Sequence, residues 1–311
     1  MIKRMVAAVI LILLGICSII FPELLRYIEV DYINLFLIIH DYPIIRFFFG
    51  GSLIVVGIVL LVIKPAKVYC MKSNDIVDAL PTLPIGFSCE KELDLKTTNI
   101  SRETLKNAIN DVRNFTRHIN TSKVDKPCFF SICDIPLIVK AGYLIGDGTH
   151  SVRYLHYIRN KGKCVEIKGN DGDLKFSSNF VDKGSKQLLV TLSTSFTIKT
   201  DNLNKRFSDM NLLCIESNNV DVDSITKLND LNRFCDFAVE KIREKSADTN
   251  SVHLLLATSS SVAFAIGQRI SNTMDRPTIV YQFENSNVKD NRPWGILINS
   301  KDDQVDEIVF S

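Results

Sequence analysis

Two charge-free apolar runs near the amino terminus constrain this chain more than any other feature. Residues 5–21 carry no charge and almost no polar group, and residues 47–63 read FFFGGSLIVVGIVLLVI. A bilayer core of ~30 Å needs about 20 helical residues at ~1.5 Å each, and the flanks extend both runs to spans of about 5–22 and 45–63. A signal peptide would end in a small-residue cleavage site, whereas the first run ends Ile-Ile-Phe-Pro-Glu at residues 19–23. The expectation is a transmembrane hairpin over residues 1–64. Lys3 and Arg4 precede the first run, and Lys64, Lys67 and Lys72 follow the second. The connecting segment holds Glu23, Glu29, Asp31 and Asp41 against Arg26 and Arg46. Basic residues mark the cytoplasmic side, so both termini are expected in the cytoplasm. Tyr27, Tyr32, Tyr42 and Phe47 to Phe49 suit an aromatic belt. Gly50, Gly51 and Gly57 would let spans approach closely enough to self-associate.

Mean hydropathy is +0.12, high for a soluble protein, and the excess is concentrated in these runs. Residues 65–84, with Pro65, Pro81 and Pro84 among polar residues, read as a linker. Residues 1–72 hold seven Lys/Arg and four Asp/Glu, net +3, so with +2 overall residues 73–311 sum to −1. That balance excludes a protein that grips long nucleic acid by its backbone. Seven of the eight cysteines lie beyond the spans and none forms a CxxC pair, which fits a reducing compartment where scattered cysteines pack as small hydrophobes.

The soluble part repeats one pattern. Residues 101–121 predict a helix, with Ser101 as cap, Glu103 in the first turn, and Leu105, Ile109, Val112 and Phe115 on one face. A strand at residues 128–133 follows, then a helix opening at Asp134, then a strand at 151–158. In the second half a helix is expected over 224–245, a buried strand over 252–257, a helix opening at residues 258–261, and a strand over 277–283. Residues 188–192 predict the first strand of this half and residues 85–89 that of the earlier one. Gly142 and Gly267 align at an offset of 125, at which Leu137 matches Val262, Ile145 matches Ile270 and Cys133 matches Thr258. A helix glycine costs ~1 kcal/mol relative to alanine, so two at equivalent places predict close helix–strand packing. Continuous apolar strands separated by helices imply α/β architecture with parallel sheets covered on both faces. Residues 161–180 between the halves read as a hairpin and loop.

The chain contains no HExxH, GxSxG, Walker A or GxGxxG motif. The five histidines, His40, His118, His150, His156 and His253, form no pair at helical i, i+4 spacing, and His253 falls in a predicted buried strand. Glu166-Ile167-Lys168 has the E-x-K shape of metal-dependent nucleases, but such sites need a further acidic residue on a neighbouring strand, and tripeptides of this kind occur constantly by chance. Binding signals are clearer. Ligands of open α/β sheets sit outside the carboxyl ends of the strands, and those ends carry Ser193, Thr194 and Ser195, then Thr258, Ser259, Ser260 and Ser261, and also Cys133 and Asp134. Four hydroxyl residues at one helix start exceed what capping needs and suit an anion. Lys140 and Arg269, one or two turns into the equivalent helices, could meet phosphates, or lie on exposed helix faces. Trp294 could stack on a base or pack in the core.

The second-half segment VHLLLATSSSVAFAIGQRISN, followed by TIVYQFE, resembles the end of SAVED domains, and FFSICDIPLIVKAGYLIGDGTHSVRYLHYIR resembles their matching earlier segment. The resemblance covers about residues 85–299. It implies a SAVED domain over 85–311 built of two fused CARF-like Rossmannoid halves, about 85–165 and 185–311. SAVED proteins sense cyclic oligonucleotides in bacterial anti-phage systems, CBASS and type III CRISPR, usually fused to an effector. Only the two spans precede the domain here, which implies a membrane effector and not an enzyme. The expected ligand is a cyclic tri- or tetranucleotide made by a cognate nucleotide cyclase or CRISPR polymerase, with no cofactor or metal. Binding is expected to drive homo-oligomerisation and disruption of the inner membrane lipid bilayer. A membrane-bound ring nuclease and a non-lytic adaptor are the alternatives.

Overall fold

The computed structural model describes residues 2–20, 43–62, 65–73, 76, 80–97, 100–146, 152–158, 161–200, 203, 205–284, 292–300 and 307–310. It divides into two compact units, Met1–Pro65 and Ala66–Ser311. Tyr27, Tyr32, Tyr42, Lys64, His40 and His150 lie outside the described residues.

The first unit is a pair of antiparallel helices, α1 (Ile2–Ile20, 19 residues) and α2 (Pro43–Val62, 20 residues). They meet through glycines. A Cβ on Gly15 would stand 2.6 Å from the Gly50 carbonyl oxygen, and one on Gly57 would stand 2.9 Å from that of Ala8. Gly50 and Gly57 are therefore spent on closing this hairpin, and of the three glycines expected to serve self-association only Gly51 faces open space. Val9, Ile10, Leu13 and Ile16 of α1 and Phe47, Phe48, Val55, Val56 and Ile58 of α2 point outward. Among the described residues no helix is long and apolar enough to cross a membrane.

The second unit holds two sheets. One has the order β2-β1-β3-β4-β5, from β1 (Ala66–Ser73), β2 (Phe87–Leu95), β3 (Cys128–Ile132), β4 (Arg153–Ile158) and β5 (Lys163–Ile167). The other has the order β12-β11-β10-β9-β7-β8-β6. Its strands are β6 (Phe176–Val181), β7 (Gln187–Ser193), β8 (Asn211–Ser217), β9 (Ser251–Ala257), β10 (Thr278–Tyr281), β11 (Trp294–Leu297) and β12 (Ile308–Phe310). The helices are α3 (Arg102–Thr121), α4 (Ile135–Ile145), α5 (Leu228–Ser246) and α6 (Ser260–Arg269). The repeat is complete: 2-1-3-4-5 in one sheet answers 8-7-9-10-11 in the other. In each, the first four strands run parallel and the fifth turns antiparallel.

Three expectations are corrected. The supposed linker at 65–84 contains β1, an interior strand whose Val68, Cys70 and Met71 have no exposed surface; eight residues between basic and proline-rich flanks were too short to show a period. Residues 161–180 form no hairpin, because β5 pairs with β4 and β6 pairs with β8, in different sheets. Gly142 and Gly267 mediate helix–helix rather than helix–strand packing. A Cβ on Gly142 would collide with the Phe264 carbonyl of α6, and one on Gly267 with the Val139 carbonyl of α4. These collisions map onto each other at the offset of 125, so α4 and α6 cross on a pseudo-two-fold axis.

Both sheets and all four helices share one apolar core, with Leu105, Phe129, Leu137, Val190, Leu192, Phe234 and Phe264 in it. The α3 cap is a reciprocal box: Thr104 N donates to Ser101 Oγ at 3.1 Å and Ser101 N to Thr104 Oγ1 at 2.9 Å. Helix α5 starts at Leu228, four residues later than expected, since Ser224 Oγ donates to the Thr194 carbonyl at 2.9 Å instead of capping.

Candidate functional site

The parallel register of β7 and β9 ends with Ser193 opposite Ala257. Just beyond, Thr194 N and Ser195 N both donate to the Ala257 carbonyl, at 3.1 and 2.8 Å. This brings Ser193, Thr194 and Ser195 beside Thr258, Ser259, Ser260 and Ser261 on one rim. Not all of them face outward. Ser193 Oγ accepts from Ile198 N at 3.2 Å, and the Thr194 carbonyl takes Asp221 N at 3.0 Å. Ser193, Thr194, Ser195 and Ser261 are buried, while Thr258, Ser259 and Ser260 are half-buried.

At the start of α6 the cap position, Ser259, makes no side-chain cap hydrogen bond. Its hydroxyl meets Ser261 Oγ at 3.0 Å. The first-turn N–H groups thus gain nothing from the cap side chain, and the positive end of the helix dipole faces the rim. Asp134, at the cap of α4, likewise makes no side-chain cap bond. Ile135 N donates to Gln282 Oε1 at 3.1 Å, which sets the start of α4 at the carboxyl end of β10, beside β9. Burial pushes the neighbouring Cys133 thiol well above its usual range, so it is a protonated packing group.

Ser131 adds a polar atom under this rim. Its Oγ is buried and has no hydrogen-bond partner among the described residues. Phe129, two residues earlier on the same face of β3, stacks on Phe264 of α6 at 3.9 Å. Gln268 Nε2 donates to the Gly146 carbonyl at 3.2 Å, joining the carboxyl ends of α6 and α4. Their amino ends therefore lie toward the carboxyl end of β3, the direction in which Ser131 stands from Phe129.

Three expected contacts sit elsewhere. Lys140 is 2% exposed; its Nζ donates to the Ile298 carbonyl at 2.7 Å and to Glu307 Oε1 at 2.8 Å, and Arg113 reaches the same carboxylate at 3.0 Å. Trp294 is fully buried, and its Nε1 donates to Glu284 Oε1 at 3.0 Å, so it packs in the core and offers no stacking face. Arg269 is held by Asp236 Oδ1 at 2.7 Å and Asn232 Oδ1 at 3.0 Å, at the far end of α6, about 13 Å from Ser260 at ~1.5 Å per residue. Nor does Glu166 stand open, since it pairs with Arg153 at 2.7 Å.

Some neighbours of the rim escaped sequence reasoning. Phe196, 58% exposed, follows Ser195, and Phe283, 48% exposed, follows β10. They flank the end of β9 on either side. The Arg292 guanidinium lies 4.4 Å over the Phe283 ring, and that of Arg206 lies 4.7 Å over Tyr281 and donates to the Arg292 carbonyl. An aromatic two or three residues after each strand was the available signal. His156 Nε2 meets Asp223 Oδ1 at 2.8 Å, tying β4 to the loop that covers Thr194; no local pattern announces this contact.

A cavity of about 730 Å³ lies at the carboxyl ends of α4 and α6, among Tyr143, Gly146, Arg243, Gln268, Arg269 and Met274. Helix carboxyl ends carry partial negative charge, and Arg243 is engaged by Asp275 at 2.7 Å. An anionic ligand is therefore better served at the opposite, amino ends.

The fold is similar to an Acinetobacter baumannii Cap4 SAVED/CARF-domain containing receptor with the cyclic trinucleotide 3'3'3'-cAAA, at 12% identity and a TM-score of 0.49, over 81% of this chain and 59% of that one. The same receptor with 2'3'3'-cAAA gives 13% identity and a TM-score of 0.49, over 81% and 58%. A Moraxella osloensis Cap4 SAVED/CARF-domain containing receptor gives 14% identity and a TM-score of 0.45, over 82% and 57%. The match thus spans less than two thirds of each receptor's length. No curated protein matches the chain. Residues 108–298 match the family described as SMODS-associated and fused to various effectors sensor domain, and since that is more than half of its length the chain belongs to the SAVED family.

Proposed function

We propose that the chain is a bacterial anti-phage sensor whose Ala66–Ser311 unit binds a cyclic tri- or tetranucleotide at the rim formed by the ends of β7, β9 and β10. The carrying observation is the start of α6, where Ser259 leaves the first turn without a side-chain cap. The rim needs donors of this kind because residues 73–311 sum to −1 and supply no bulk positive field. Phosphates must be met locally by helix amino ends and hydroxyls. Phe196 and Phe283 offer faces to two bases, the role first expected of Trp294. The cognate nucleotide cyclase or CRISPR polymerase supplies the ligand.

The output is a membrane one. The charge-free runs at residues 5–21 and 47–63 support this part of the reading, as do the exposed apolar side chains of α1 and α2, among them Leu13, Phe48 and Val55. Both termini lie in the cytoplasm on this reading. Ligand binding draws copies together head to tail, and the clustered hairpins disrupt the inner membrane.

Calorimetry on the full chain in nanodiscs, with cyclic di-, tri- and tetranucleotides, tests the site. Ser259→Ala with Ser260→Ala is expected to weaken binding by about 1–3 kcal/mol and leave the ligand-free melting point unchanged. Full affinity in the double variant rejects the rim, and linear products in the cell reveal a ring nuclease.

A further inference from the structure

The amino end of the five-stranded sheet gathers basic and apolar groups that the rim does not use. Val68 stands opposite Cys128, Cys128 opposite Arg153, and Tyr154 opposite Ile167. Lys126 and Lys168 are therefore brought to one end of the sheet, with Lys123 in the turn before Lys126. All three are exposed, as is Asp125 between Lys123 and Lys126, so the four residues together carry a net charge of +2. The other cations here are matched, Lys67 by Glu90 at 2.6 Å and Arg153 by Glu166 at 2.7 Å.

Ile85 projects from the same end. Ala66 N donates to the Gly86 carbonyl at 2.8 Å, and Phe87 N to the Pro84 carbonyl at 3.1 Å, so this turn is pinned beside the first residue of β1. Gly86 adopts φ +90°, a conformation that glycine takes readily. The turn leaves Ile85 94% exposed. Its chain position matters: residues 63–65 alone separate the end of α2 from β1.

We propose that this end of the sensor unit rests on an anionic lipid surface, with Ile85 entering the headgroup boundary and Lys123, Lys126 and Lys168 facing lipid phosphates. The inference rests on the hairpin lying in the bilayer. Cations close to an anionic leaflet are attracted within a Debye length, and an apolar side chain gains by entering the boundary between headgroups and acyl chains. The contact leaves the opposite end of the sheet, where α4 begins, turned away from lipid and open to a soluble ligand.

Tryptophan quenching separates the outcomes. Trp294 is the only tryptophan and is buried, so an added one reports its own surroundings above a constant background. The full chain carrying Ile85→Trp or Val55→Trp is reconstituted in phosphatidylglycerol-containing vesicles with brominated acyl chains. Emission of the Val55→Trp chain is expected to fall, most with deep bromines, and that of the Ile85→Trp chain to fall most with shallow bromines. Adding Lys123→Glu, Lys126→Glu and Lys168→Glu should restore the Ile85→Trp emission while Val55→Trp stays quenched. Quenching at Val55→Trp with none at Ile85→Trp overturns the docking and leaves the hairpin standing. No quenching at either position overturns the membrane reading together with the docking.

Discussion

His253 shows how a polar residue can be wholly structural in this molecule. It lies in β9 with Nδ1 2.9 Å from Tyr281 Oη and Nε2 3.1 Å from Ser251 Oγ. Burial, aided by the nearby Arg206 charge, pushes its pKa from 6.5 down to about 4. Between those values the unfolded chain binds a proton that the folded chain refuses. Stability is therefore whole above pH 6.5 and falls as pH drops toward 4, by up to roughly 3 kcal/mol. Urea unfolding at pH 7 and 4.5 should show a smaller acid loss in His253→Gln than in the wild type, by about 2–3 kcal/mol; equal losses would remove His253 as the cause. The same inward turn accounts for Lys140 and Trp294. Their chain positions suited a ligand, but a buried cation is stable only when paired, and Glu307, which pairs Lys140, lies 167 residues away.

At the scale of elements, the α4–α6 crossing and β1 hold the sensor unit together. Alanine at Gly142 or Gly267 gains ~1 kcal/mol of helix propensity, yet the new methyl meets backbone carbonyl oxygen of the other helix, and backbone cannot rotate aside. Each substitution should destabilise by about 3 kcal/mol or more, read in thermal melts, whereas Gly51→Ala, with nothing within 4 Å, should not. Unchanged melting of Gly142→Ala would refute the close crossing. Strand β1 lies between β2 and β3, so a chain beginning at residue 85 leaves two unpaired strand edges. Residues 66–311 should melt cooperatively and residues 85–311 should aggregate; equal midpoints for the two would show that β1 is dispensable. The helices and the strands of the repeat were legible because their apolar periods are long or continuous. Strand β1 was not, because interior strands of parallel sheets show no alternation and proline-rich flanks imitate a linker.

For the whole molecule, the repeat matters more than either half. Two half-domains of one type present two unlike faces, and contact between unlike faces propagates rather than closing as a dimer. Ligand added to the full chain in nanodiscs should therefore raise the mass seen by light scattering beyond a dimer, and cells should depolarise only when the cognate nucleotide cyclase or CRISPR polymerase is active. Ligand binding with no growth in mass would leave a tethered adaptor as the better reading. Gly50 and Gly57 cannot separate these outcomes, since both already pack inside one hairpin.

What the sequence determined by itself was whatever depends on neighbours in the chain: two apolar helices, the alternation of helix and strand, the equivalence of the halves at offset 125, and the run of hydroxyls at the start of α6. Tertiary structure alone decided what depends on distant partners. It turned Lys140 and Trp294 inward, sent β5 and β6 to different sheets, and moved the paired glycines from a helix–strand contact to a helix–helix crossing. It also set Phe196 and Phe283 on either side of β9. The physical reason is that a side chain's direction follows from which surfaces must be buried together, and the partners that bury these residues are contributed by strands and helices far away in sequence.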